Sequence, residues 1–515
     1  MISAIVAYVT IGPFQHFPPV GWVDSGIYTG YFRHFSWMIH RYGATYFASR
    51  WPYIFPGWLI YRVFPAWAAN AVFSAGWLSA LLVGLRGLCR PALPAWVRKW
   101  TLVLFGCSPL VVAMVTRAYP DGAVAGIGLL GLILVRRGMV SDGGARLLTL
   151  AGAALMTVAL LTQPGSLCMM APMGLGLLLA VPPTDRRSSL LTTLIWGGVG
   201  ALVTLIVYLA IVYEITGVGN WFGLMYSACC QNSRGAQYRW DISLWIFSAT
   251  RICFVLLVLT AGLLTLLTFA RGCPDPLRRF LAGSVMSTAL SAALLVLSDT
   301  AMDMSLIQSS HYASYILPAT ATLLGAVLAC WGHRLTLRDR VLGSIVVLFL
   351  ATAGVALLML ATSDMPQESV FFPMTDLACA AAVVLAVVGC RRAPQTLRLG
   401  VVVLLVLALL PVGSISADTR HVFGGPGRSS GSTYIMLLTA ADEIDEVVGE
   451  RPVLFWFDRQ GFNRALTHPL PGATVPNRQV FPLRFGPTRY DLNALDTLSA
   501  FYLWDQSRTM DQLPA

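Results

Sequence analysis

The feature that most limits the fold of this chain is a succession of apolar runs, each close to the length that crosses a lipid bilayer. A membrane-spanning helix needs about 20 mostly apolar residues. Hydrophobic residues make up 56% of the 515 residues and charged residues only 11%, whereas about a quarter of a soluble domain is charged. Such a chain cannot cover its surface with polar groups. The sequence therefore predicts an α-helical polytopic membrane protein.

The apolar runs lack the strict alternation of barrel strands, so we expect about thirteen transmembrane helices. The predicted spans are 1–14, 66–85, 100–115, 122–135, 147–161, 167–181, 190–213, 244–269, 280–297, 315–331, 341–361, 377–388 and 399–415.

Basic residues gather in alternate connections between the runs, and the short loops around Pro164, Asp303 and Met365 carry none. Short loops rich in Arg and Lys stay in the cytoplasm. We therefore expect a cytoplasmic N-terminus and an outer C-terminus, in a bacterial inner membrane. The net charge of +11 follows from these loops, and no contiguous basic face of the kind that binds nucleic acid is present. The basic residues of the connections are Arg86, Arg90, Arg98 and Lys99; Arg136, Arg137 and Arg146; Arg186 and Arg187; Arg271, Arg278 and Arg279; Arg334, Arg338 and Arg340; and Arg391, Arg392 and Arg398.

The composition changes near residue 416, where Asp, Arg, Asn, Pro and Gly reach the frequencies of a soluble domain. Residues 432–448 are typical of a helix and residues 452–457 of a buried strand. The sequence thus predicts a transmembrane domain over residues 1–415 and a small α/β extracytoplasmic domain over residues 416–515.

The ten cysteines are scattered and form no CxxC pair, which argues against both a zinc site and a disulfide framework. No cluster of metal-ligating residues is evident in the sequence. We therefore expect a metal-independent protein with no cofactor.

The first outer loop, residues 15–65, is the longest segment that topology alone does not require. It holds one carboxylate, Asp24, among many aromatic residues and several cations, and positive charge on the outer side opposes the usual bias. One interpretation is a site for a lipid phosphate, because Arg binds phosphate in a bidentate manner. The other is an interfacial amphipathic helix whose cations touch anionic head groups without any chemistry. The cations are Arg33, His34, His40, Arg41, Arg50 and Arg62.

Three further outer segments carry polar residues whose role stays open at this point. Arg117 and Asp121 lie in TRAYPDG, where Asp121 is expected either to cap a helix or to act in a site. Arg239 lies in the polar segment 214–243, which fits a gating loop or a plain connector. His311 and Tyr312 lie in SSHYASYILP, at the entry to a late span.

Four motifs in order along the same membrane side resemble the GT-C superfamily of polytopic glycosyltransferases. The nearest branch contains protein O-mannosyltransferases, lipid A aminoarabinose transferases and rhizobial galacturonosyltransferase-like enzymes. The resemblance covers roughly residues 1–415, and the span count with an outer C-terminal domain agrees with it. The motifs are WVDSGIYTGYF, YFASRWPYIFPGWL, YPDGAVAGIGLLGL and HYASYILPATATLLGA.

The resemblance implies an inverting transfer of a hexosyl or pentosyl group from a polyprenyl-phosphate-linked donor to a lipid, glycan or protein acceptor. It identifies Asp24 as the candidate base and Asp121 as the second acidic position. Candidates for the donor and its phosphate are Arg33, Arg50, Arg117, Arg239, His311 and Tyr312, with Arg50 first because it lies in the matched SRWP stretch. This chain departs from the family pattern in two ways, since Ser25 follows Asp24 and Lys99 is the only lysine.

Two other functions remain as alternatives at this stage. A transporter or flippase for lipid-linked saccharides would place charged residues near the bilayer midplane and show repeated halves, whereas here the charges gather at the outer boundary. A ligase for lipid-linked glycans would carry its main outer loop late in the chain, and this chain carries it first.

Overall fold

The computed structural model describes residues 1–11, 23–42, 47–106, 109–116, 119–140, 145–181, 183–217, 219–226, 272–302 and 314–334, with scattered residues between 255 and 267. Within this part every assigned element is helical. The predicted spans 341–361, 377–388 and 399–415, most of 244–269, and the predicted C-terminal domain lie outside the described residues.

Twelve α-helices of eight or more residues, labelled in chain order, build the described part of the chain, and a short helix over 221–226 follows the tenth. They are α1 (Ile2–Ile11), α2 (Val23–Tyr42), α3 (Trp51–Val63), α4 (Ala66–Cys89), α5 (Ala95–Gly106), α6 (Pro109–Thr116), α7 (Pro120–Val140), α8 (Ala145–Thr162), α9 (Leu167–Ala180), α10 (Pro183–Thr216), α11 (Asp275–Met302) and α12 (Leu317–Arg334). Short 3-10 helices precede α3, α9 and α12, over Ala48–Arg50, Pro164–Ser166 and Ser314–Ile316.

Among the described residues, five helical stretches are long and apolar enough to cross a membrane: Ala68–Cys89, Pro120–Val140, Ala145–Thr162, Leu190–Thr216 and Asp275–Ser298. Two shorter apolar stretches, Pro164–Ala180 and Leu317–Cys330, accompany them. Each of the seven coincides with a predicted span, so these seven apolar runs were interpreted correctly as helices.

The predicted span 100–115 is covered by α5 and α6, and residues 107–108 between them lie outside the described residues. Pro109 is the first residue of α6. Proline has no N–H to donate to a preceding turn but fits the first position of a helix, so it favours a new start there. The first predicted span corresponds to α1, whose 10 residues are about 15 Å long.

Small residues bring the long helices close together. A Cβ atom added to Gly131 of α7 would lie 2.7 Å from the carbonyl oxygen of Gly152 in α8, and one added to Gly152 would lie 2.6 Å from that of Gly131. On the other side of α7, a Cβ on Gly84 of α4 would lie 2.6 Å from the Leu129 Cβ. Glycine is therefore needed at these contacts, as expected where membrane helices pack through small residues.

The segment 15–65, predicted as the first outer loop, contains α2 and α3. Aromatic side chains pack α2 against the neighbouring helices. Tyr28, Tyr31 and Phe32 of α2 are fully buried. The Phe32 ring lies edge-on to Tyr53 of α3 and Phe73 of α4, with centroids 5.4 and 5.1 Å apart. The segment is thus packed into the protein through one face of α2.

The helix ends form two groups at opposite ends of the bundle. One end carries basic residues, and the other carries buried polar residues. At the basic end, the Arg136 guanidinium donates a hydrogen bond of 2.7 Å to the Leu88 carbonyl oxygen and so joins the ends of α7 and α4. Arg86 and Arg137 lie in the last turns of these helices. The opposite end contains the start of α7, the end of α8 and the start of α12.

Candidate functional site

Arg50 is the centre of the candidate site and is only 1% exposed despite its long cationic side chain. It ends the 3-10 helix Ala48–Arg50, directly before α3, where Pro52 is favourable in the first turn. The guanidinium donates hydrogen bonds to the Tyr28 hydroxyl of α2 and to the Gln163 Oε1 atom that follows α8. One arginine therefore joins three segments that are far apart in the sequence.

Hydrogen bonds to the neighbouring backbone also hold Arg50 in place, in addition to those that its own guanidinium makes. The Tyr208 hydroxyl of α10 lies 2.6 Å from the Ser49 carbonyl oxygen and 3.1 Å from that of Leu161, and it donates to these acceptors. Ser49 precedes Arg50, and Leu161 lies two residues before Gln163. Tyr208 thus fixes the backbone on both sides of the Arg50–Gln163 hydrogen bond, which limits the positions that the guanidinium can take.

Asp121 is the carboxylate of the site among the described side chains. It lies in the first turn of α7 and is fully buried. Its Oδ1 atom accepts a hydrogen bond of 2.5 Å from the Tyr315 hydroxyl, just before α12, and the charge of Arg50 acts on it. The Oδ2 atom has no hydrogen-bond partner among the described residues. A buried carboxylate oxygen normally has a partner, so this atom is available to a bound group.

Aromatic rings surround the Arg50–Tyr28 contact. The Tyr28 ring lies edge-on to Tyr53 and Tyr119, with centroids 5.2 and 5.8 Å apart, and the Arg50 guanidinium carbon lies 5.8 Å from its centroid. These rings exclude water from the guanidinium, and charge interactions are stronger where water is excluded. The surroundings therefore suit tight binding of an anion by Arg50.

Asp24 lies in α2, whose backbone the structure describes, while the Asp24 side chain lies outside the description. It stands four residues before Tyr28, and positions four apart share one face of a helix. Asp24 therefore occupies the same face of α2 as the tyrosine that bonds Arg50, one turn nearer the start of the helix. The backbone register is compatible with the predicted meeting of Asp24 and Arg50.

The other predicted residues are placed differently. Arg33 is half-buried on α2 and, five residues beyond Tyr28, is rotated from it by about 140°, so the two do not share a face. Arg117, Arg239, His311 and Tyr312 lie outside the described residues. Among the predicted residues whose side chains are described, Arg50 and Asp121 lie close enough for the charge of Arg50 to act on the carboxylate.

Four neighbours of this pair were missing from the sequence prediction: Tyr28, Gln163, Tyr208 and Tyr315. Tyr28 and Tyr315 lie inside the quoted motifs WVDSGIYTGYF and HYASYILP, so the motif spacing offered a signal for both. Gln163 is a polar residue before Pro164 at the end of an apolar run, which is a weaker signal. Nothing in the sequence marked Tyr208 within its long apolar run.

Among the described residues, no group of three or more His, Cys, Asp or Glu side chains could hold a metal ion. The charged groups described at the candidate site are Arg50 and Asp121, with the hydroxyl groups of Tyr28 and Tyr315 and the amide of Gln163 around them. A guanidinium beside a carboxylate with one available oxygen can bind an anion and a hydroxyl group side by side.

Solved structures of ArnT from Cupriavidus metallidurans are similar to this chain over most of its length. The structure of ArnT bound to undecaprenyl phosphate matches with a TM-score of 0.57 and 15% identity, covering 93% of this chain and 85% of that chain. The apo state of ArnT matches with a TM-score of 0.52 and 17% identity, covering 92% and 83%. Arabinosyltransferase EmbB from Mycobacterium smegmatis matches with a TM-score of 0.48 and 14% identity, covering 85% and 42%.

No protein-family model and no curated protein sequence matches the chain. The two ArnT matches show that this chain shares the fold of ArnT, and the predicted α-helical polytopic membrane architecture is confirmed. The count of about thirteen spans and the C-terminal domain stay predictions.

Proposed function

We propose that this chain, which has the GT-C fold, is a membrane glycosyltransferase that uses a polyprenyl-phosphate-linked sugar as its donor. The observation that carries the proposal is the buried Arg50, held between Tyr28 and Gln163 beside Asp121. Burying a cation is costly unless a charged or strongly polar partner compensates it. A lipid-linked phosphate entering at this end of the helices supplies such a partner.

A polyprenyl phosphate is the donor lipid that the comparison supports. One ArnT structure contains undecaprenyl phosphate, and this chain shares the fold of that protein. A guanidinium can donate two parallel hydrogen bonds to phosphate oxygens. In our proposal the donor phosphate binds Arg50 and shares or replaces its bonds to Tyr28 and Gln163, which are neutral and able to rearrange.

The reaction we propose is an inverting displacement at the anomeric carbon. The Asp24 carboxylate takes the proton of the acceptor hydroxyl while the hydroxyl oxygen forms a bond to that carbon. The bond from the anomeric carbon to the phosphate oxygen breaks, and its electron pair leaves with polyprenyl phosphate. Arg50 stabilises the negative charge that the departing phosphate gains. The proposed step requires neither a metal ion nor a cofactor.

Asp121 has a supporting part in this proposal. Its Oδ1 atom is engaged by Tyr315, so Oδ2 is the atom that can accept a hydrogen bond from a substrate hydroxyl. The same carboxylate partly compensates the charge of Arg50 before the donor binds. Arg33, Arg117, Arg239, His311 and Tyr312 stay predicted contributors to donor binding.

We place the reaction on the outer face of the inner membrane. The residues around Arg50 lie at the end of α7, α8 and α12 opposite the end that carries Arg86, Arg136 and Arg137. Basic helix ends face the cytoplasm in most membrane proteins. The site then opens outward in an inner membrane, toward a lipid, glycan or protein acceptor of the cell envelope.

Deletion of the chain should remove one sugar from an envelope glycolipid or glycan, because transfer from the lipid-linked donor stops while the donor continues to be made. Mass spectrometry of envelope lipids and glycans from cells with and without the chain checks this. The unused polyprenyl-phosphate-linked sugar should accumulate in the same extracts. Identical extracts, with neither a missing sugar nor an accumulated donor, would argue against a transferase.

A further inference from the structure

Three aromatic side chains near Arg50 are joined by successive ring contacts, from Trp51 to Tyr208 and from Tyr208 to Trp221, and we call them the Trp51–Trp221 wall. Trp51 follows Arg50 in the chain, and its ring lies 5.8 Å from the Tyr208 ring, centroid to centroid. The Tyr208 ring lies edge-on to Trp221 at 6.2 Å. The wall therefore begins at the proposed phosphate site and extends from it toward α10.

The middle of the wall is rigid. The Tyr208 hydroxyl lies within hydrogen-bond distance of both the Ser49 and the Leu161 carbonyl oxygens. Its ring position is therefore set by α8 and by the 3-10 helix that carries Arg50. A ring fixed in this way can hold the two indoles at a constant separation.

The Trp221 end of the wall depends on a chain reversal at Gly217. This glycine has a φ of 71°, in the left-handed region that favours glycine, and its N–H donates to the Tyr213 carbonyl oxygen at 2.7 Å. This is a typical end to an α-helix. The reversed chain starts a short helix over 221–226, where the Asn220 Oδ1 atom accepts from the Gly223 N–H at 2.8 Å. The turn thereby returns Trp221 to the side of Tyr208.

Both indole N–H groups of the wall are buried and have no hydrogen-bond partner among the described residues. Buried tryptophan N–H groups usually find an acceptor, and a buried donor left without one is costly. The Ser166 hydroxyl, three residues after Gln163, is in the same condition. Several buried donors near Arg50 thus have no hydrogen-bond acceptor in the described part of the chain.

We propose that the Trp51–Trp221 wall binds the glycosyl group of the donor, and this inference rests on the proposed function. A sugar ring presents apolar C–H faces to aromatic rings and hydroxyl oxygens to the indole N–H groups, and specific small-molecule sites combine these two features. A polyprenyl tail has no oxygen to accept from an indole. A phosphate belongs with Arg50, because the three side chains of the wall are uncharged.

The covalent order of the donor agrees with the order of the side chains. The sugar is joined directly to the phosphate, and Tyr208 joins the two proposed sites, because its hydroxyl contacts the Ser49 carbonyl oxygen beside Arg50 and its ring contacts Trp51. In this proposal a phosphate bound to Arg50 places its sugar against the first ring of the wall. Specificity for the sugar should then depend on Trp51 and Trp221, whereas affinity for the phosphate should depend on Arg50.

The test uses Trp51→Phe and Trp221→Phe in the full-length chain, since phenylalanine retains an aromatic ring and removes the N–H donor. The probes are undecaprenyl phosphate alone and undecaprenyl phosphate carrying glucose, mannose, galactose, arabinose or N-acetylglucosamine. Native mass spectrometry of the purified protein gives the affinity for each probe. The matched control is Trp196→Phe, a half-buried tryptophan beside Arg146 near the other end of α10.

The wild type is expected to prefer one glycosylated lipid over undecaprenyl phosphate, and each wall variant to lose about three- to tenfold of that preference. Binding of undecaprenyl phosphate alone should change little in the wall variants, and Trp196→Phe should behave as the wild type. Unchanged preference, or equal losses for all the lipids, would overturn the sugar-binding role while leaving the proposed function intact. A wild type that binds none of these lipids would overturn both.

Discussion

Glycosyl transfer is expected to fall by a factor of about 10²–10⁴ when Asp24 is replaced by asparagine, because the acceptor hydroxyl then loses the base that takes its proton. Asparagine has nearly the same shape as aspartate, so the helix that carries it should be preserved. Donor binding should change much less than the rate, since the phosphate is held by Arg50. The measurement is transfer of a radiolabelled sugar to the acceptor, with donor affinity determined in parallel.

Asp275→Asn is the matched control for this variant. Asp275 forms an exposed ion pair with Arg278 at the start of α11, with an N–O distance of 2.7 Å, at the end of the helix bundle away from Arg50. Its replacement should leave transfer unchanged. Full activity of Asp24→Asn, with normal protein level and membrane insertion, would remove the proposed base.

Affinity for the lipid-linked donor is expected to fall about 30-fold to 1,000-fold in Arg50→Gln, because removing one partner of a buried charge pair has effects of this size. Arg50→Lys should fall between glutamine and the wild type, since lysine keeps the charge but not the planar fork that binds two phosphate oxygens. Binding of undecaprenyl phosphate without a sugar checks both variants and isolates the phosphate contribution.

Arg278→Gln is the control for these two variants, because Arg278 is an exposed arginine at the opposite end of the bundle. Arg50 is buried and bonds two side chains, so the unfolding temperature of each variant should be measured alongside its affinity. An Arg50→Gln protein that is folded and binds undecaprenyl phosphate as tightly as the wild type would exclude Arg50 from the phosphate site.

The transmembrane part of the fold was predictable from the sequence because a bilayer imposes a length on each apolar run. The prediction for 190–213 falls within α10 and that for 280–297 within α11. The run 100–115 was predicted as one span from its hydropathy, and α5 and α6 cover it on either side of residues 107–108. Pro109, the first residue of α6, is a residue that favours a helix start.

The candidate site was predictable in part, through motifs that place Asp24, Arg50 and Asp121 on one side of the membrane. The partners of Arg50 were not, because its bond to Gln163 joins residues 113 positions apart. Such a contact depends on how α8 packs beside the 3-10 helix, and composition does not determine this packing. His311 and Tyr312, predicted at the entry to α12, lie outside the described residues. Tyr315, which follows in the same motif, is the described residue that bonds Asp121.

Burial was the other property that the sequence could not provide. A segment rich in arginine and aromatic residues fits a helix on the membrane surface as well as it fits a site within the protein. The observed exposure of Arg50 is 1%, and this value favours the second interpretation for that residue. Tyr28, an aromatic residue that also suits the membrane interface, is buried and bonds Arg50.

The most direct test of the central claim is a structure of this protein determined by electron cryomicroscopy with undecaprenyl phosphate bound. The account predicts phosphate oxygens about 2.7–2.9 Å from the Arg50 guanidinium nitrogens, on the same side of the helices as Asp121. A phosphate bound at the basic helix ends near Arg86 and Arg136, with Arg50 still held only by protein groups, would contradict it.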